Sequence, residues 1–449
     1  MSDLLTIGKS GVLAYQNALA GISENVVNAN NAGYARRQVT MKEQAAAAGP
    51  LFLSRNSSSF NGVLGADVSR VWDQYSAQRA WSANSDSSQA STRSQWYSTV
   101  ENALNDGDSG VGVKLTAIFT SGNALAANPT DATLRQSFLY AIQDAAGTIN
   151  KTAANLAKVS DTVATQAGNA VAEVNSALAS LARINVALKT APQQTAGRAG
   201  LEDQRDALIG TISDKIGVDV TFDSYGAATI RMNDTGGPML LDGSNVIPGQ
   251  LNLQVAANGT LSMTAINDGT TAAVSPISGA LAGFAEGANQ ILGRQQQLDG
   301  LATKLVQQIN TWNAQGTDLN GNPGADLMSG TDAATIALSV SNTDLVAAAD
   351  PSTPNGNLLT LSNLRDANGV EGGWRSMIND QALRVQSAQS QEASASSAKD
   401  AAYSDLDNVS GVDLDAEAAD LMRFQQAYSA SAKIIQTARE TLQSVLDLF

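Results

Sequence analysis

The sequence predicts a mainly α, multidomain and elongated protein, with terminal coiled-coil helices, a long-helix bundle domain and an inserted β-rich domain. Three observations carry this expectation. Apolar residues recur at alternating spacings of three and four near both ends of the 449-residue chain. A third run at helical spacing fills much of the first half of the interior, from Leu134 to Leu188. Aromatic residues are only 5% of the chain, so the core must come mainly from Ala, Val, Leu and Ile, which suits slender helix packing.

Near the N-terminal end, Leu5, Gly8, Val12, Tyr15, Leu19, Ile22 and Val26 form one seam. The interior seam begins after Asn128-Pro129-Thr130-Asp131, passes through Phe138, Ile142, Ile149, Leu156, Val163, Val174 and Leu181, and stops before Pro192. A shorter helix is predicted over 201–216, with Gly217 as its C-cap. The texture then changes. Alternating runs at 218–222 and 228–232, separated by turn clusters such as Asp234-Thr235-Gly236-Gly237-Pro238, Asp242-Gly243 and Asn258-Gly259, read as short strands. Helices are predicted again over 278–312 and 373–403, flanking a stretch at 315–368 that mixes strands and loops. The last seam runs through Leu414, Ala418, Leu421, Gln425, Tyr428, Ala432, Ile435, Arg439, Leu442, Leu446 and Phe449. Its helix starts at Asp413 or Asp415 and extends about 50 Å at 1.5 Å per residue. The predicted organisation is 1–36 with 405–449 as a terminal coiled-coil domain, 37–216 with 277–404 as a helical bundle carrying irregular and β segments, and 217–276 as the inserted β-rich domain.

Composition restricts the chemistry. The absence of cysteine and histidine removes disulfides, thiolate nucleophiles, imidazole bases and His-ligated metals. A net charge of −15 argues against a nucleic-acid or anionic-membrane partner. Asp3, Lys9 and Glu24 interrupt the first thirty residues, so no secretory signal is expected there. Gly107-Asp108-Ser109-Gly110 has the look of a serine nucleophile loop, yet with no histidine Ser109 lacks a base; it reads as a Gly-rich loop between helices. Asp318, Asn320, Asn322 and Asp326 alternate like calcium ligands, but Pro323 stands where the turn glycine belongs and Ser329 replaces the closing glutamate. That stretch reads as a polar turn. No catalytic, cofactor-binding or metal-binding residue is assigned, and no enzymatic role is expected. The candidate functional residues are therefore those of the end helices. A narrow apolar seam on an isolated helix is marginal in water, so it needs the other end of the chain, a neighbouring subunit, or both.

The segment Asn25-Val26-Val27-Asn28-Ala29-Asn30-Asn31-Ala32-Gly33-Tyr34-Ala35-Arg36-Arg37 resembles the signature N-I-A-N-x-x-T-P-G-Y-x-R of the flagellar axial family of rod, hook and hook-associated proteins. Asn31 and Ala32 replace its Thr-Pro, while the Gly-Tyr-x-Arg core is kept. Gly411-Val412-Asp413-Leu414-Asp415 and the run Arg423 to Thr437 are similar to that family's C-terminal helix. The blocks Leu125-Ala126-Ala127-Asn128-Pro129-Thr130-Asp131, Leu201-Glu202-Asp203-Gln204-Arg205-Asp206-Ala207-Leu208-Ile209 and Asp318 to Gly324 resemble its hook-associated protein 1 branch.

The resemblance implies a structural junction subunit between the bacterial flagellar hook and filament. Paired end helices would form an inner tube, with the β-rich domain outermost. The implied partners are further copies of the chain, the hook protein, hook-associated protein 3 and an export chaperone at the C-terminal segment. The implied location is outside the cell, reached by type III export without a cleaved signal. The candidate assembly interface comprises Leu5, Val12, Tyr15, Leu19, Ile22, Val26, Gly33, Tyr34 and Arg36, with Leu414, Leu421, Phe424, Tyr428, Ile435, Leu442 and Leu446 opposite. Competing expectations are another axial subunit (hook or rod), a secreted adhesin or enzyme domain on an axial scaffold, and a cytosolic coiled-coil scaffold.

Overall fold

A computed structural model describes residues 2–31, 33–43, 62–366 and 368–447. Ala32 and Phe449, named above, lie outside them. The elements are α1 (Ser2–Asn28), β1 (Arg37–Glu43), β2 (Val63–Arg70), α2 (Gln74–Leu104), α3 (Val111–Ala127), α4 (Ala132–Thr190), α5 (Ala196–Lys215), β3 (Val218–Phe222), β4 (Ala228–Met232), β5 (Met239–Leu241), β6 (Gln250–Val255), β7 (Leu261–Asn267), β8 (Thr270–Val274), α6 (Ala280–Ala314), β9 (Met328–Ser329), β10 (Ala337–Leu338), α7 (Gly356–Thr360), α8 (Val370–Ser410) and α9 (Leu414–Leu446). Helix dominates, as the seams predict.

The chain forms two compact units. One comprises residues 1–84, 174–250 and 397–449, the other 85–173 and 251–396. The division falls within α2, α4 and α8. It also runs through the predicted 217–276 domain: β3, β4 and β5 make one antiparallel sheet in the first unit, and β6, β7 and β8 make a separate sheet assigned to the second. The alternation that marks each strand says nothing about which body its apolar face covers.

In the first unit, α1 and α9 pair, an antiparallel ribbon of β1 and β2 lies on α1, and α5 packs against β2. Central strand β4 buries Ala228, Ile230 and Met232. Its first residue is held by Asn185 of α4, a fully buried amide whose Nδ2 donates to the Ala228 carbonyl at 2.9 Å and whose Oδ1 accepts from the Ala228 N–H at 2.8 Å. Both polar groups are thereby satisfied away from water.

In the second unit, Phe138 of α4 meets Trp312 of α6 edge-on, with ring centroids 5.6 Å apart. Arg135, 1% exposed, donates to the carbonyls of Pro129, Thr343 and Val346, tying the turn before α4 and the loop after β10 to α4. Burial pushes its guanidinium below the usual arginine range, against the pull of Asp344 and Asp318.

Several boundaries differ from expectation. Helix α5 starts at Ala196, capped by Thr195, whose hydroxyl accepts from Arg198 N–H, and it ends at an extended Ile216 rather than on a left-handed Gly217. Helices α2 and α3 are additional. The buried positions of α2 up to Trp96 are Ala77, Ala80, Trp81, Asn84, Ser85, Ala90, Ser94 and Trp96, followed by Val100, Ala103 and Leu104 in the last turns, so no apolar period runs the length of its Ser- and Gln-rich sequence. Gly107–Gly110 is the turn between α2 and α3; Gly110 N–H donates to Gly107 carbonyl at 2.7 Å, and a side chain at Gly110 would strike the Asn105 carbonyl. In the 318–326 stretch, Asp318 Oδ1 accepts the backbone N–H groups of Asn320 and Asn322, both at 2.8 Å, so the carboxylate closes its own turn. Among the described residues no helix is long and apolar enough to cross a membrane, and no three acidic groups are placed to hold a metal ion.

Asn185→Ala strands the buried Ala228 N–H and carbonyl. It is expected to lower stability by roughly 1–3 kcal/mol, read as a lower urea midpoint, while an exposed control on the same helix such as Asn169→Ala moves it far less.

Candidate assembly site

Helix α1 begins the site because its inner face is small. Gly8, Gly11, Ala14, Ala18, Gly21 and Ile22 are buried, which lets α9 come close on one side and β1 on the other. A Cβ added at Gly8 would lie 2.7 Å from Ile435 Cγ1, and one at Gly11 would lie 2.8 Å from Ser431 Oγ. Higher on α1, Tyr15 meets Phe424 with ring centroids 6.1 Å apart. Rising numbers on α1 face falling numbers on α9, so the pair is antiparallel. At Gly21 the neighbour is Val39 of β1, and the Ser10 hydroxyl accepts from Val63 N–H at 3.1 Å, which docks β2.

The chain then turns at Gly33, whose φ of +83° is left-handed and needs no side chain. Asn25, 1% exposed on α1, holds the returning strand: its Nδ2 donates to the Arg37 carbonyl at 2.9 Å, and its Oδ1 accepts from Arg37 N–H and Tyr34 Oη, each at 2.8 Å. The Arg37 guanidinium lies 4.7 Å from the Tyr34 ring centre. Burial pushes the Tyr34 phenol up to about 12, the nearby Arg37 charge opposing the rise. Arg36 reaches the other end of the chain. Its N–H donates to the Ser410 carbonyl at 2.8 Å, and its Nε sits 2.6 Å from Glu417 Oε1, a carboxylate 1% exposed near the start of α9. Asp413 caps that helix by accepting from Asp415 and Ala416 N–H.

Behind the turn lies a cluster of charges. Asp203 of α5 pairs with Arg37 and, at 2.8 Å, with Arg70 of β2; Arg70 also pairs with Asp206 at 2.7 Å. Asp206 in turn holds Arg205 at 2.7 Å, and Arg205 donates to the Gly226 carbonyl at 2.6 Å. Burial pushes the Arg205 guanidinium below its ordinary range, with the Asp206 carboxylate pulling the other way. One charged face of α5 thus ties together both ribbon strands and the loop after β3, and reaches α1 through Arg37 and Asn25.

The sixteen residues expected at the interface fall into three groups. Ile22 is buried. Leu5, Val12, Tyr15, Leu19, Tyr34, Arg36, Leu421, Phe424, Ile435 and Leu442 are half-buried at or beside the α1–α9 contact or the turn. Val26, Gly33, Leu414, Tyr428 and Leu446 face solvent. The closest line of approach lies largely one residue earlier than the predicted seam: Gly11, Ala14, Ala18 and Asn25 on α1, and Glu417, Phe424, Ser431 and Ala438 on α9. Asn25 and Arg37 stand in the signature segment and Asp203 and Asp206 in a family-like block, yet none of these, nor Glu417 or Arg70, is among the expected interface residues. The signal was present in part, since Arg198, Glu202, Arg205 and Asp206 recur at spacings of four, three and one and so share a face of α5. The ribbon arginines that α5 pairs with, Arg37 and Arg70, lie more than a hundred residues away.

These features define a class: a mainly α chain whose first and last helices pair and are locked to its body through a turn and an ion cluster. Comparison with known proteins makes this particular. Residues 97–328 match the flagellar hook-associated protein FlgK helical domain, and residues 407–448 match the flagellar basal body rod FlgEFG protein C-terminal family. The chain belongs to the flagellar hook-associated protein FlgK family. It is 27% identical to flagellar hook-associated protein 1 of Salmonella typhimurium, over 73% of this chain and 60% of that protein. It is 25% identical to flagellar hook-associated protein 1 of Bacillus subtilis, over 99% of this chain and 97% of that protein. The chain therefore spans about 60% of the Salmonella relative but nearly all of the Bacillus one. In fold it is similar to the flagellar hook junction protein FlgK from Burkholderia pseudomallei, with a TM-score of 0.50 and 24% identity, covering 56% of this chain and 46% of that one.

Asp203→Ala leaves the buried Arg37 guanidinium without its carboxylate and Arg70 with Asp206 as its near partner, and is expected to cost about 3–5 kcal/mol, measured by chemical denaturation. The Tyr34 phenol supplies an alkaline marker. Its folded value of about 12 stands above the ordinary 10.0, so its contribution to stability is complete below pH 10 and is lost as pH rises toward 12. Phenolate absorbance titration of the folded protein should show that late step reduced in Tyr34→Phe.

Proposed function

We propose that the chain is a non-enzymatic structural subunit that joins the flagellar hook to the filament and polymerises through its paired first and last helices. The observation that carries the proposal is on those helices. Their inner faces are already occupied by each other, yet Leu13, Val27, Met422 and Leu446 are 50%, 82%, 59% and 64% exposed. Single exposed apolar residues are ordinary on any surface, but here they stand on both members of an end-helix pair, where a neighbouring copy can cover them. Assembly then adds burial on the outside of a pair that holds its own register through Arg36, Glu417 and Asn25.

The match of 97–328 to the hook-associated helical domain favours a junction subunit over a rod or hook subunit, since the C-terminal match is one that rod proteins share. Hook protein on one side, hook-associated protein 3 on the other, and an export chaperone on the C-terminal segment are the partners this role requires. The location is extracellular, at the junction, after export without a cleaved signal.

Deleting the gene should leave bare hooks and release filament subunits into the medium; normal filaments would refute the junction role. Removing residues 1–36 or 405–449 should abolish incorporation at hook tips, scored by labelled antibody, whereas unchanged incorporation would refute polymerisation through these helices.

A further inference from the structure

Asparagine stands directly before glycine at positions 61, 258, 320, 355 and 368. Such a pair is open to a self-reaction that needs only water. Glycine has no side chain to shield its amide nitrogen, so that nitrogen can reach the Cγ of the asparagine before it. Asparagine is among the residues thinned out where proteins must last at high temperature. Asn61 lies outside the described residues. The folded chain treats the other four differently, and all four lie in the second unit.

Three of them are held. In the hairpin between β6 and β7, Asn258 Oδ1 accepts from the N–H and hydroxyl of Thr260 at 3.1 Å and 2.7 Å. Gly259 N–H donates to the Ala256 carbonyl at 2.9 Å, and a side chain at Gly259 would strike Ser160 of α4. Asn355 Nδ2 donates to the Ala126 carbonyl at 2.9 Å, and buried Gly356 opens α7 against the Asp350 carboxylate. The Asn368 carbonyl accepts from the Lys304 ammonium. Buried Gly369 donates its N–H to the Asp366 carbonyl at 2.9 Å, with the Leu364 carbonyl against it. Each of these pairs must leave its place before it reacts, so its rate scales with the small fraction of time the segment is open.

Asn320 is placed otherwise. It and Gly321 are both exposed, Gly321 has a left-handed φ of +81°, and nothing lies within 4 Å of where a side chain on Gly321 would sit. The Asn320 amide reaches Asp318 Oδ2 only at 3.5 Å, the limit of a hydrogen bond, and Gly321 N–H reaches the Asp318 carbonyl at 3.2 Å. The turn itself is fixed from the other side, since Asp318, 8% exposed, holds the N–H groups of Asn320 and Asn322. The Asn320 side chain is thus left to rotate onto the next peptide in open water.

We propose that Asn320 is a site of spontaneous covalent modification, converted in the folded chain to aspartate and isoaspartate. A solvent base takes the proton from Gly321 N, the nitrogen's electron pair attacks Asn320 Cγ, and the Cγ–Nδ2 bond breaks. Nδ2 leaves as ammonia, protonated from water. Water then opens the five-membered imide at either carbonyl. Addition at Cγ breaks its bond to the glycine nitrogen and leaves aspartate in an ordinary chain; addition at the main-chain carbon of residue 320 leaves glycine joined through Cγ, as isoaspartate. One water is taken up and one ammonia released, with no oxidant or reductant. Either product sets a second carboxylate beside Asp318 and makes a chain of net −15 more negative still. The reaction does not depend on assembly.

The full-length chain is incubated folded in mildly alkaline buffer, and in parallel in guanidinium chloride. Digestion and fragment-ion mass spectrometry then follow the mass difference between amide and acid at each pair, and protein isoaspartyl methyltransferase labels the isoaspartate. In the folded chain Asn320 should convert about tenfold or more faster than Asn258, Asn355 and Asn368, the cost of local opening at those three setting the gap. In guanidinium chloride the four rates should converge. Equal rates in the folded chain, or a faster one at any of the other three, overturns the assignment. So does a lead of Asn320 that persists in guanidinium chloride, because the neighbouring sequence and not the exposed turn would then set it.

Discussion

The carboxylate of Asp203, shared between Arg37 and Arg70, is the interaction on which the first unit depends. It joins a helix from the middle of the chain to both strands of a ribbon that begins just after α1. Arg37 is gripped twice, since Asn25 holds its backbone and Asp203 its side chain. The adjacent Arg36 is fixed to Ser410 and Glu417. Two consecutive arginines therefore point opposite ways, one toward the body of the unit and one toward α9. A displacement of either end helix has to work against both grips.

Charges are an expensive way to hold a core together, and leucine-like packing of similar volume often stabilises as well or better. What an ion cluster adds is discrimination. Apolar faces made of alanine and glycine are nearly alike from one turn to the next, so α1 could slide along α9 at small cost. Arg36 finds the buried Glu417 in one register only, and Asn25, by holding the Arg37 N–H and carbonyl, fixes the turn that carries Arg36 relative to α1. The buried polar groups set the alignment, and the small residues supply the close approach.

The fold was legible in the sequence where hydrophobic period and turn chemistry agree. Helix α4 starts beyond Asp131 and ends before Pro192; α9 starts after Asp413; β3 and β4 occupy the alternating runs. Helix α2 was not legible because alanine, serine and asparagine fill most of its buried side before Trp96, with Trp81 the large apolar residue among them, so no stripe runs its length to count. The division of the 217–276 strands between two units was likewise hidden, since a strand's alternation reports that one face is covered and not by what. At the site, Gly33, Tyr34 and Arg36 were visible through a family signature, and the cluster around Asp203 only as a charged block of unknown partner.

The one-residue offset between predicted and actual seams follows from residue size. A seam read from sequence favours large side chains, so it passed through Val12, Tyr15 and Leu19; close contact favours small ones, so it passes through Gly11, Ala14 and Ala18. The large residues flank the contact, half in and half out. Had they filled the seam, the helices would stand further apart and bury their apolar surface within one chain. Because glycine and alanine fill it, the pair closes tightly and leaves Leu13, Val27, Met422 and Leu446 in solvent, so the apolar surface on the outside of the pair is a consequence of how narrowly the two end helices fit each other.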